Sequence, residues 1–146
     1  MSLSWINEYV DGVIDYCYSK DIFDIYDTLG IKIVKTNKDD FILRENEGLY
    51  IRNYFDLEVV FIRDDLPYQY EKFLLAHELG HAILHTEIAQ AAYNNKLINR
   101  GKLERQADYF ACRLLDIKID DVYHYGLTTG QVAKDLHVSE NSLEYL

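Results

Sequence analysis

The chain is poor in residues that break, staple or anchor a fold. A single proline and seven scattered glycines leave no linker-like stretch in 146 residues, so one domain over 1–146 is the expected organisation. The two cysteines, Cys17 and Cys112, form no CxxC pair. Each falls on an apolar helical face, where a free thiol behaves as a small buried hydrophobe, which argues against a disulfide framework. No apolar run approaches the roughly 20 residues that span a bilayer. Residues Met1 to Tyr9 show neither the basic start nor the apolar stretch of a secretory signal. A cytoplasmic protein without membrane attachment is the expectation. Basic charge is also scarce, with 15 Lys and Arg against 25 Asp and Glu for a net of −10. Such a chain repels a phosphate backbone unless it carries a local basic patch. The densest basic stretch, Lys32 to Lys38, is interrupted by apolar residues and followed by Asp39 and Asp40. Nucleic acid is therefore not an expected partner.

What the chain does have is apolar periodicity, in nearly half of its residues. Asn7 is placed to cap a helix carrying Tyr9, Val10, Val13, Ile14 and Cys17 on one side. A short helix over Ile22 to Leu29 should stop at Gly30. The pattern then shifts to strands: Ile31 to Lys35, Phe41 to Arg44, Leu49 to Tyr54, and the nearly all-apolar Leu57 to Ile62. Pro67 opens a long helix through Phe73, His77, His81 and Leu84, at a position where its missing N–H costs nothing. Another helix spans Lys102 to Leu115, and two short helical patterns follow at Gly130 to Leu136 and Glu140 to Tyr145, with Thr129 and Ser139 as caps. Helices, then strands, then helices is an α+β pattern, a small mixed β-sheet packed against helices.

The chemistry sits in His77-Glu78-Leu79-Gly80-His81. Two histidines four apart lie about 40° from each other around a helix, so both imidazoles can reach one ion. Zinc favours such nitrogen ligands and, in enzymes, keeps one position open for water. Glu78 is about 100° round the helix from His77, where its carboxylate can reach that water without occupying the metal, as in the HExxH motif. Glu104 and Asp108, four apart on the next strong helix, share one face. Glu104 can complete a shell of two histidines and one carboxylate. Asp108 can accept the outer N–H of a ligand histidine and fix its tautomer. Gly80 costs the helix about 0.5–1 kcal/mol relative to Ala, a cost that marks close approach of another backbone. His85 continues the four-residue spacing but reads as a rim residue or polar helix end. The longer zincin signature is absent, because Leu84 and Glu87 stand at its glycine and third-histidine positions. His124, between Tyr123 and Tyr125, reads as part of a loop aromatic cluster, with a distant role in stabilising a transition state as the alternative.

Ala76 to Ala82 together with Glu104-Arg105-Gln106-Ala107-Asp108-Tyr109-Phe110-Ala111 resembles the ImmA/IrrE family of metallopeptidases, found in bacterial prophages and mobile elements. The resemblance runs from about Val59 to Leu115, and more loosely over the whole chain. It implies a gluzincin-like zinc peptidase with a zincin-like core. The HExxH helix and a second ligand-bearing helix form that core, with one Zn2+ on His77, His81 and Glu104, Glu78 as general base, and Asp108 supporting a ligand histidine. It also implies a protein substrate, a helix-turn-helix transcriptional repressor. Gln106 departs from the glutamate that many members carry there, and Asp116-Ile117 from their Met-Pro pair. The tail, 128–146, resembles two helices of a helix-turn-helix, but Glu140, Asn141 and Glu144 supply the wrong charge for a recognition helix. Packing or docking of a repressor is its expected use. Leu57 to Ile62 is the strand expected to align substrate by strand addition. The rival expectation is a non-catalytic, metal-stabilised adaptor that grips a repressor, with His85 as a fourth ligand closing the shell.

Overall fold

The computed structural model describes residues 2–85 and 100–146. Helix α1 (Ile6–Cys17) buries Ile6, Val10, Val13 and Cys17, the helical spacing of its apolar side. Its N-cap is Trp5, without a side-chain bond. Asn7 does not cap the helix, because its Oδ1 accepts from the Tyr109 hydroxyl at 2.9 Å and so ties α1 to a helix a hundred residues on. Helix α2 (Ile22–Leu29) starts where Asp21 accepts from the Phe23 and Asp24 amides, and ends at Gly30, whose φ of 73° suits glycine. Three strands follow, β1 (Ile31–Thr36), β2 (Gly48–Tyr54) and β3 (Leu57–Arg63). The stretch from Phe41 is not a strand. Asp40 accepts from the Ile42 amide and from the Thr36 hydroxyl, which winds Phe41–Leu43 into one 3-10 turn with Leu43 buried and Phe41 88 % exposed.

The sheet order is β1-β3-β2, with β3 parallel to β1 and antiparallel to β2. Residues Phe55 and Asp56, both at positive φ, make the tight β2–β3 turn. A central position explains why β3 is apolar on both faces. Val60 and Ile62 join the main core, while Val59 and Phe61 pack with Leu43 on the other face. It also corrects the expectation for substrate alignment, because both edges of β3 are already paired. The sheet edge beside the HExxH helix is β2.

Helix α3 (Tyr68–Leu84) is buried on most sides, between the sheet and helix α4 (Arg100–Leu114). At the α3–α4 crossing, a Cβ built on Gly80 would lie 3.1 Å from Ala107 Cα and 3.2 Å from Phe110 Cβ. The glycine thus marks the close approach that its cost implied. Gly80→Ala is expected to lose about 1–3 kcal/mol of stability through this overpacking, read as a lowered midpoint in denaturant titration; an unchanged or raised midpoint would show that the helices can separate. Helix α5 (Thr129–Leu136) begins with a capping box formed by Thr128 and Gln131, one residue earlier than Thr129. The last predicted helix is instead a 3-10 helix (Glu140–Tyr145), and Ser139 bonds the Ser142 hydroxyl and no backbone amide. Ala133, Val138 and Leu143 pack this tail onto the same core as α1, α3 and α4. Cys17 and Cys112 are buried free thiols, and no described helix is long and apolar enough to cross a membrane.

Candidate metal centre

Helix α3 presents His77 and His81 on successive turns, with their Nε2 atoms 3.2 Å apart. From the facing helix, the Glu104 carboxylate reaches both rings, Oε2 at 3.0 Å from His77 Nε2 and Oε1 at 2.9 Å from His81 Nε2. One turn further along α4, Asp108 Oδ1 lies 2.7 Å from His77 Nδ1. The four residues brought together by spacing in the sequence are therefore together in space. Glu104 is the open member, with 57 % of its side chain exposed, so the cluster is reached from its side.

Glu78 is buried beside the pair, and its Oε1 accepts from the Tyr50 amide of β2 at 3.1 Å. Potential ligand atoms of His77, Glu78 and His81 also lie within 4.8 Å of one another. Two carboxylates thus flank one imidazole pair. They differ in what holds them. Among the described residues Glu104 meets the imidazole nitrogens of His77 and His81 at bonding distance, whereas Glu78 is drawn toward the strand by a backbone donor. Tyr50's amide was not legible as a partner in the sequence, since it comes from an edge strand 28 residues before Glu78.

The donor set suits a divalent ion. A tetrahedral zinc bonded at about 2.0–2.1 Å spaces its ligands roughly 3.3–3.4 Å apart. The imidazole and carboxylate atoms here stand 2.9 to 3.2 Å from one another and need to open by only a few tenths of an ångström. The charges are also matched. Burial pushes the His77 pKa down, but hydrogen bonds to Asp108 and Glu104 outweigh it, and it is pushed up to about 10. Burial would raise Glu104, but His77 and His81 hold its carboxyl well below the usual range.

His85 is not at the rim. It ends α3 as a helix-terminal residue, but it is 1 % exposed, and its two ring nitrogens lie 2.9 Å from His81 Nδ1 and 2.7 Å from Gln106 Oε1. Neither nitrogen faces the Glu104 side of the cluster, so His85 does not close the shell as a fourth ligand. Burial holds its pKa below the ordinary value, against the opposing bond from Gln106. His124 is fixed elsewhere, with Nε2 2.8 Å from Asp135 Oδ2.

Comparison with known proteins also points to a metal-dependent peptidase. The family model described as the IrrE N-terminal-like domain, peptidase M78, matches residues 27–145. The chain is also 28 % identical over 146 residues to Metallopeptidase ImmA of Bacillus subtilis (strain 168), covering 96 % of this chain and 82 % of that protein. Membership of a metallopeptidase family implies a metal cofactor and a protein substrate, and His77, Glu78 and His81 form a group that could hold a metal ion. The chain belongs to the ImmA/IrrE family of metallopeptidases.

Proposed function

We propose that the chain is a cytoplasmic zinc endopeptidase that cuts a helix-turn-helix transcriptional repressor of a prophage or mobile element. One ion would be held by His77, His81 and Glu104. The observation that carries this reading is the meeting of both Nε2 atoms with a single carboxylate from another helix. When bound, zinc lowers the pKa of a water and polarises the scissile carbonyl. The chain's residues supply the rest. Asp108 accepts the His77 Nδ1 proton and orients that ring. Glu78 is the general base, taking the proton of the attacking water and passing it to the leaving amine. Among the described residues the outer edge of β2 has no strand partner, and it runs past Glu78 at Tyr50. An extended substrate segment added to that edge would lie over the base.

The repressor assignment rests on the family resemblance and on charge. Glu104 lines an open groove of about 1140 Å3 in which, among the described residues, Asp108, Asp121, Glu140 and Glu144 outnumber the one cation, Arg105. Such a surface suits a basic, DNA-binding protein and opposes nucleic acid itself. The test is coexpression with the repressor encoded beside the gene, wild type against Glu78→Gln. A repressor fragment that forms only with wild type, and disappears when zinc is chelated, supports the reading. An intact repressor in both cases overturns it.

Metal uptake should also depend on pH in a set direction. A divalent ion binds neutral imidazole, so uptake displaces the His77 proton, and affinity should rise with pH up to about 10. Titration calorimetry in buffers of different ionisation enthalpy should show about one proton released per ion near neutral pH; no release would mean that His77 is neutral beforehand.

A further inference from the structure

Two polar side chains in the seam between α3 and α4 have no part in the roles above. His85 and Gln106 are 1 % and 7 % exposed, and buried polar groups of this kind persist only when hydrogen-bonded. They bond in a line that ends at the cluster. Gln106 Oε1 lies 2.7 Å from His85 Nε2, and His85 Nδ1 lies 2.9 Å from His81 Nδ1. The far nitrogen of His81, Nε2, faces His77 and Glu104.

Following the protons along this line fixes each tautomer. An amide oxygen only accepts, so His85 carries its proton on Nε2 and leaves Nδ1 bare. A bare His85 Nδ1 accepts, so His81 must donate from its own Nδ1. With a single proton placed there, the lone pair of His81 Nε2 points into the cluster, which is the form a metal ligand requires. Turning the Gln106 amide over reverses every step. Its NH2 would donate to His85 Nε2, His85 would donate from Nδ1, and His81 would carry its proton on Nε2, in the way of an ion.

We infer that Gln106 and His85 are positioning residues that set the tautomer of His81, a neutral relay doing for one histidine what the Asp108 carboxylate does for the other. The inference rests on His81 being a metal ligand.

Long-range 15N–1H spectra of histidine-labelled protein report which ring nitrogen is protonated. His85 should be protonated on Nε2 in both metal-free and Zn2+-loaded protein, and His81 on Nδ1 once loaded. By chelator competition, Gln106→Met should weaken Zn2+ binding about 10–100-fold, whereas Gln106→Glu should stay within about threefold of wild type. Because glutamate has nearly the shape of glutamine, its rescue is read together with the His85 tautomer, which a merely structural role would leave unset. A His85 proton on Nδ1, or a methionine variant that binds within about twofold of wild type, overturns the inference. If the methionine variant fails to fold, the wild-type spectrum and the glutamate variant decide, and weaker binding by the latter counts against the relay. A wild-type protein that takes up no Zn2+ would defeat the metal-site reading, while the His85 tautomer in the metal-free protein would still decide this one.

Discussion

Glu78→Gln should lower repressor cleavage by about 10²–10⁴-fold, the usual contribution of a positioned general base, while zinc content and folding stay as in wild type. The side chain is buried and accepts from the Tyr50 amide, which donates to Oε1 at 3.1 Å. Glutamine keeps a carbonyl oxygen at that position, so the bond to β2 survives. What is lost is the capacity to take up a proton. Replacing a buried carboxylate by an amide of the same shape does not burden the fold, so a fall in activity cannot be traced to unfolding. Cleavage kinetics with metal analysis on the same preparation check this; turnover above about a tenth of wild type would remove Glu78 from the role of base.

Glu104→Ala should have its effect on the metal. Its two oxygens are the atoms that link His77 to His81 from the opposite helix. Removing them leaves two imidazoles on one helix, and zinc affinity should drop well beyond the roughly 10–100-fold that follows changes to outer partners such as Asp108. The substitution should be mild for the fold, because the side chain is more than half exposed. Zinc competition assays on Glu104→Ala and Asp108→Asn, with circular dichroism as a control, separate the two roles. Equal losses in both variants would place Glu104 outside the shell and return attention to Glu78 as the carboxylate ligand.

Much of this geometry was legible in the sequence where the cause was local. Two histidines four apart, two carboxylates four apart, a proline before a helix and a glycine after one each act within a turn or two. The α2, α3 and α4 assignments follow from such signals, as does the reading of Gly80. Elsewhere distant contacts decided. Apolar residues along Leu57 to Ile62 say that the strand is buried, but not that it is central, since strand order depends on partners across the chain. Phe41 to Arg44 has strand-like composition, but the Asp40 carboxylate bonds the Ile42 amide and winds it. Asn7 has a capping side chain, but Tyr109 claims it. At the candidate site, the spacing of His85 was visible while the direction of its ring was not. Gln106, which settles that direction, lies 21 residues away and contributes no motif of its own.

The contact between Gly80 and Ala107 has a consequence for accuracy. Across most helix pairs the separation is the average of many side-chain shapes, each able to hop or tilt. Here the backbones of Gly80, one residue before His81, and Ala107, one before Asp108, leave no room for even a methyl group without a shift, so the helices cannot approach much closer. A core substitution elsewhere can part the helices but has little room to press them closer, so the gap between imidazole and carboxylate has a floor.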